Sequence, residues 1–250
     1  MSRLSSFEGV RRDWTRLGER DPLWAVYVAP GRRGGSWDVE EFLELGRRDV
    51  GRAMAWLERL GVRGRFDRAL DFGCGAGRLS QALAERAGEV VGVDVSAPML
   101  EMAAELDRTA GRCRFVLNDA DDLGLFADGE FDLVYTELVL QHLPAPMIDR
   151  YLGEFLRVLR PGGIAVFQCT VSPMWTVKGM IWRFVPPPLV RLGQRYVLRY
   201  PAPMRMTAYP ARRVAAVVAA HGGEVVGSMV QDDRAAHWRT AHYAVRRPAR

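Results

Sequence analysis

Glycine recurs at every second position in Leu70-Asp71-Phe72-Gly73-Cys74-Gly75-Ala76-Gly77-Arg78, where a short β-rich run gives way to a helix expected to begin near Leu79. Glycines at such a junction let backbone N–H groups approach a ligand at the helix N-terminus. Their spacing limits which ligand. The dinucleotide fingerprint GxGxxG needs glycine at position 78, which is arginine here, so the loop reads GxGxG and disfavours NAD and FAD. A Walker A loop needs Gly-Lys-Ser/Thr, yet the sole lysine, Lys178, stands between Val177 and Gly179. The same scarcity leaves one residue in a poor context for a pyridoxal Schiff base. The Tyr-x-x-x-Lys pair of short-chain dehydrogenases fails because position 174 is Met.

From Arg68 onward, β-rich runs alternate with amphipathic helical ones: RALDF and LSQALAERA, EVVGVDV and PMLEMAAEL, CRFVL, FDLVYTEL and MIDRYLGEFLRVL, then IAVFQC. Such alternation implies parallel strands joined by helical crossovers, an α/β fold. The helix before Arg160 presents Met147, Tyr151, Phe155, Val158 and Leu159 on one side, and Pro161-Gly162-Gly163 is expected to end it. Near the C-terminus, EVVGSMVQ and TAHYAVRR read as an antiparallel hairpin closing the sheet. At the other end Phe7, Val10, Trp14 and Leu17 recur at helical spacing, and a second helix is expected from near Asp38. The 250 residues, 48% of them hydrophobic, suit one compact unit: residues 1–60 as a helical cap on a main domain of residues 61–250.

Cys74, Cys113 and Cys169 form no CxxC, so neither a disulfide framework nor a zinc finger is suggested. Of His142, His221, His237 and His242 no two make an HExxH pair, so no metal is expected. No apolar run resembles a signal sequence or a membrane span, and a reducing cytoplasm is the expected setting.

The acids that follow the glycine loop indicate what it holds. Asp94 ends the second hydrophobic run, where a carboxylate can accept hydrogen bonds from both hydroxyls of a ribose. Asn118-Asp119-Ala120 ends the third, placed so that an acid accepts from an adenine amino group while a backbone N–H serves a ring nitrogen. The ligand reads as an adenosine without a pyrophosphate. Through DFGCGAG, VVGVDVS, NDADDL, FDLVYTELVLQHLP and the RPGG turn, residues 65–170 resemble the class I S-adenosylmethionine-dependent methyltransferases. The resemblance implies a Rossmann-like seven-stranded sheet of order 3-2-1-4-5-7-6, its last strand antiparallel, with helices on both faces. It also implies S-adenosylmethionine as cofactor. Asp71, Gly73, Cys74, Gly75 and Gly77 would border the methionine part, Asp94 with Val95 would hold the ribose, Asn118, Asp119 and Ala120 the adenine, and Glu137 the amino group. Cys74 reads as a packed side chain rather than a nucleophile, and Arg78 as one that packs over the fold or reaches solvent.

Methyl transfer needs a base only when the acceptor must lose a proton early. His142, in Glu137-Leu138-Val139-Leu140-Gln141-His142-Leu143-Pro144, is the candidate; the competing reading is that its imidazole pins the loop. Residues 171–206 exceed a tight connection and are expected to form an acceptor lid. A helix from Ser172-Pro173 carries Met174, Trp175, Val177, Ile181 and Phe184 up to Pro186, and a second run sets Leu189, Leu192, Tyr196 and Tyr200 beside an arginine stripe at 191, 195 and 199. Between Phe155 and Gly223 ten basic residues meet no acid, while the rest of the chain carries 25 bases against 30 acids. This block suggests a surface that meets something acidic. The lid therefore reads as an acceptor wall, a peripheral membrane contact or an anion site. RNA would call for a recognition module, and no RRM, KH or zinc motif is present. Taken together, the expected activity is methyl transfer to O or N of a small-molecule or lipid-like, in one reading anionic, acceptor in specialised metabolism. The alternatives are a pericyclase or cyclase that binds the same cofactor, an RNA methyltransferase, and a regulatory subunit without chemistry. No sequence feature sets the oligomeric state.

Overall fold

The computed structural model describes residues 7–234 and 236–249, so residues 1–6 of the expected cap lie outside the description. Seven strands make one sheet: β1 (Phe66–Phe72), β2 (Ala87–Asp94), β3 (Cys113–Leu117), β4 (Phe131–Thr136), β5 (Leu159–Pro173), β6 (Glu224–Asp233) and β7 (Trp238–Arg246). Their order is β3-β2-β1-β4-β5-β7-β6, with β7 antiparallel to both neighbours and the other pairs parallel. The expected order and the expected hairpin are both present. Strand β4 is buried throughout and β1 from Ala69 to Phe72, because helices cover both faces.

On one face α3 (Val39–Arg59) and α4 (Arg78–Leu83) close a core containing Val50, Leu57, Ala69, Leu83, Val90 and Tyr135. Asp38 caps α3 by accepting from Glu41 N at 2.9 Å, which puts the helix start where the sequence placed it. On the other face α6 (Ala145–Val158) and α9 (Ala211–Ala220) pack on β1, β4 and β5. Tyr151 and Phe155 meet Phe72 at ring-centroid distances of 4.5 and 5.1 Å. Helices α1 (Phe7–Arg20) and α2 (Pro22–Val26) lie over the C-terminal edge of the sheet near α5 (Ala97–Glu105), so the N-terminal segment is packed into the fold.

Three expectations need correction. Helix α6 ends at Val158, and Leu159 already pairs with Phe131. The Arg160–Gly163 turn is an irregularity inside β5, because proline bars a helical conformation at the residue before it. Ser172 and Pro173 start no helix: they pair with Arg239 and Trp238, and α7 (Val177–Phe184) begins after Thr176, whose hydroxyl accepts from Gly179 N at 3.1 Å. The arginine stripe breaks too, since α8 (Pro187–Tyr196) stops before Arg199, which takes a positive φ of 51°. The basic block is also partly neutralised by acids from outside it: Arg157 pairs with Glu154 and Asp128, Arg160 with Asp132, and Arg213 with Asp149. Among the described residues no helix is long and apolar enough to cross a membrane, and no cluster of three or more His, Cys, Asp or Glu could hold a metal ion.

Candidate active site

The glycine loop is tied to β2 from its first residue. Gly73 N and Cys74 N both donate to the Val93 carbonyl, at 2.8 and 3.0 Å. Asp94 then fastens it from the other side, its two carboxylate oxygens accepting from Gly75 N and from Ser96 N, each at 2.9 Å. Burial pushes the Asp94 carboxyl up, and these backbone donors oppose that shift. Gly73 has φ +73°, and a Cβ there would lie 2.5 Å from a Val139 methyl; at Gly75, φ +52°, it would lie 2.5 Å from a Val26 methyl. Side chains are excluded at both positions, so bare backbone faces the cleft.

That cleft brings together Gly73, Gly75, Asp94, Val95, Asn118 and Glu137 from the sequence reading. Asn118 is held by donating to the Asp122 carbonyl at 2.8 Å. Gly77 instead starts α4 in the left-handed conformation, with Ala103 and Phe115 against it. Cys74 is buried beside the loop, and burial together with Asp94 and Asp71 pushes its thiol well up, so it is no thiolate. Asp71 does not reach the cleft. It is fully buried, accepts from Ser80 Oγ at 2.6 Å, and keeps one oxygen without a hydrogen bond. Burial raises its carboxyl to about 7. Asp119 and Ala120 are exposed and lie outside the lining.

The remaining wall was not legible as a site. Phe7, Val10 and Trp14 of α1 and Val26 of α2 close the cleft from above, while Met147 and Tyr151 of α6 close the side. Helical periodicity marked Phe7, Val10, Trp14, Met147 and Tyr151 as apolar faces, but nothing in it said which cavity they would cover. About 80 Å³ of free space is left. The donor set suits an adenosine, with an acid at the end of β2, exposed glycine backbone and a carboxamide at the end of β3. A ligand of that size requires the α1 and α2 side chains to move.

Arg78 is buried, not solvent-facing: it pairs with buried Asp49 of α3 at 2.7 Å and lies over the Tyr27 ring. His142 is also placed differently from a free base. Its Nδ1 hydrogen-bonds the Arg205 carbonyl at 2.6 Å, which makes it the N–H donor and leaves Nε2 to face the Gln141 amide at 3.2 Å. The edge of Trp14 packs on its ring at 5.0 Å between centroids. Burial drives the imidazole down to about 4, and His142 lines a recess with Asp13 and Arg205, apart from the main cleft.

Beyond the end of β4, Glu137 and Leu138 separate the cleft from a second cavity of about 560 Å³ between α3 and strands β5 to β7. Leu138 has a φ of +63°, a strained value for leucine, and its N–H donates to Gln168 Oε1 at 3.3 Å. Tyr135 donates its phenol to Glu137 at 2.8 Å. The charged lining continues with Asp49, Arg52 and Arg59 of α3 and with Asp232, Asp233 and Arg234 at the end of β6, and Gln168 and His242 stand on the sheet between them.

Residues 70–167 match the family described as "Methyltransferase domain". The chain is 32% identical to the 2-methyl-6-phytyl-1,4-hydroquinone methyltransferase of Synechocystis over 61% of its length and 47% of that protein's. It is 34% identical to the malonyl-[acyl-carrier protein] O-methyltransferase of Enterobacter lignolyticus over 64% of its length and 59% of the relative's. It therefore spans about half to three-fifths of these relatives. The fold is that of magnesium protoporphyrin IX methyltransferase from Synechocystis, solved with bound SAH: TM-score 0.65, 19% identity, covering 96% of this chain and 100% of that one. Residues 70–167 thus carry a methyltransferase domain, and the chain has S-adenosylmethionine-dependent methyltransferases among its homologues.

Proposed function

We propose that the protein transfers a methyl group from S-adenosylmethionine to O or N of a small-molecule or lipid-like acceptor. The carrying observation is Asp94, which braces Gly75 and Ser96 at the mouth of a cleft floored by side-chain-free glycine backbone. Asp94 with Val95 holds the ribose, Asn118 borders the adenine, the backbone of Gly73 and Gly75 receives the methionine portion, and Glu137, oriented by Tyr135, faces its ammonium. Asp71 and Gly77 act on the loop from behind. Residues 1–60 serve as a cap and 171–206 as a lid.

The cofactor supplies an electrophilic methyl on a sulfonium, so the chain's share is alignment and exclusion of water. Apolar α1 and α6 side chains do the excluding. His142 fastens the loop after β4 to the lid through Arg205, a reading its engaged nitrogens support.

The lipid-like part of the reading draws on α7 and α8, where Trp175, Val177, Phe184, Leu189, Tyr196 and Val197 are all exposed. An anionic group has a second support in a depression between cap and lid where Arg16, Arg20, Arg33, Arg195 and Arg199 outnumber Glu19 and Asp21. The names of the relatives, which include a phytyl-bearing hydroquinone and malonyl-[acyl-carrier protein], are in keeping with both. The lysine-poor, arginine-rich composition, of the kind a GC-rich genome encodes, is the ground for placing the role in specialised metabolism.

Calorimetry on ligand-stripped protein is expected to show heat with S-adenosylhomocysteine and none with NADH; the reverse result ends the proposal. Release of S-adenosylhomocysteine during turnover separates transfer from a cyclase that only binds the cofactor. Sedimentation with anionic vesicles, reversed by salt, tests the lid contact, and salt-insensitive, weak binding removes it.

A further inference from the structure

The second cavity holds the only histidine in the chain that both lines a large cavity and has no hydrogen-bond partner among the described residues. His242 sits on β7 opposite Gln168 of β5 and is partly exposed to the cavity. The other three are engaged: His142 by Arg205 and Gln141, His221 by the Val217 carbonyl, His237 by Thr176. Around His242 stand Glu137 from the end of β4 and Asp49 and Arg52 from α3; burial lowers its imidazole, Glu137 and Asp49 oppose that, and Arg52 adds to it. At neutral pH the ring is therefore uncharged and free to accept a proton. Tyr135 cannot compete for the role, because burial and Glu137 push its phenol well up, which keeps it protonated, and its O–H is engaged as a hydrogen-bond donor to Glu137.

The cavity's place matters as much as its chemistry. Glu137 and Leu138 line both the cleft and the cavity, so they form the one wall the two share. A reacting group lodged against that wall from the α3 side would have only Glu137 and Leu138 between it and the cleft proposed for the donor, so a shift of these two side chains would bring acceptor and donor together. We propose that this cavity receives the reacting end of the acceptor, a hydroxyl, carboxyl or amine on a polar small molecule or head group, and that His242 is its general base. This rests on the methyltransferase reading above. In the step, the acceptor's O–H or N–H proton passes to a free His242 ring nitrogen and its lone pair forms the bond to the methyl carbon. The carbon–sulfur bond breaks with its electrons going to sulfur. The site needs side chains from α3, β4, β5 and β7, segments separated by nearly the whole chain, and no motif reports it.

The test combines a footprint that needs no acceptor with an activity measurement. Diethyl pyrocarbonate acylates neutral, accessible imidazole nitrogens. On the complex with S-adenosylhomocysteine, peptide mapping is expected to show His242 reacting at least tenfold faster than His142. Its pH midpoint should lie below that of free imidazole and move lower in Glu137→Gln. Release of S-adenosylhomocysteine is then measured over a panel of small phenols, carboxylic acids and amines. His242→Asn is expected to lower kcat by about 100-fold or more while its affinity for S-adenosylhomocysteine stays within about threefold, the size expected for loss of a general base. A His242 as unreactive as His142, a variant within about threefold of the parent's kcat, or a parent that binds the nucleoside yet methylates no panel member overturns the proposal. If the parent binds no S-adenosylhomocysteine, the methyltransferase reading fails and the proposal with it, a result calorimetry tells apart from the others.

Discussion

The two cavities on either side of Glu137 and Leu138 are built from different materials. On the α1 side the cleft presents backbone amides, one strand-end carboxylate and apolar side chains, and its glycines and carboxylate lie within about twenty residues of one another. On the α3 side the cavity presents Asp49, Arg52, Gln168 and His242, brought together by the pairing of β5 with β7 and the packing of α3 on the sheet. The first suits a ligand that never changes. The second can be re-lined residue by residue without disturbing the strands, which is where an acceptor specificity would be written.

Breaking the polar side should cost the most stability. Arg78→Ala removes the buried partner of Asp49 and leaves it only the exposed Arg52, and the loss of a buried pair member costs up to about 3–5 kcal/mol. Urea denaturation should show that drop, and it should loosen α3 with little direct effect on the glycine loop. Breaking the cleft should instead spare the fold and cost affinity. Asp94→Ala removes the acceptor proposed for the ribose and the brace on Gly75 and Ser96, and calorimetry with S-adenosylhomocysteine should show about a 100-fold loss, roughly 2.7 kcal/mol.

His142 sharpens the contrast through pH. Its folded value of about 4 lies below the ordinary 6.5, so the unfolded chain binds the extra proton between those values. The stability it contributes is complete above 6.5 and falls as pH drops toward 4, by up to about 1.4 kcal/mol per pH unit. Asp71, raised to about 7, acts with the opposite sign over much of that window, being favoured as pH falls. The difference between the parent and His142→Asn in urea titrations from pH 7 to 4 isolates the histidine, and equal slopes would count against its buried neutral state. The smallest effect is expected from Trp14→Ala. It opens the roof of the cleft, so the off-rate of S-adenosylhomocysteine should rise by about tenfold or less in stopped-flow measurements, and His142 should become more reactive toward diethyl pyrocarbonate as its neighbouring ring is lost.

Local chemistry is what made so much of the cleft readable. Gly73 and Gly75 are glycines because a Cβ at either would strike a neighbour 2.5 Å away, and Asp94 is an acid because two backbone donors converge on it. Both requirements act within a few residues of a strand end, so they leave a mark at fixed spacing. Asp71 carried the same mark yet proved to be interior, since alternation along β1 turns its side chain toward α4 and Ser80. Ser172-Pro173 misled for a related reason: it has the composition of a helix start, but the pull of pairing with β7 extends the strand through it.

The succession of strands and helices, the place of the glycine hinge and the acid that serves it were fixed by residues near one another in the chain, because turn geometry and strand periodicity are local properties; the order of the strands in the sheet was implied only by the family resemblance. Which faces meet across the sheet was decided only on folding. It took the tertiary structure to bury Arg78 on Asp49, to occupy both nitrogens of His142, and to leave those of His242 free beside Glu137. Those outcomes depend on packing and desolvation among segments up to two hundred residues apart.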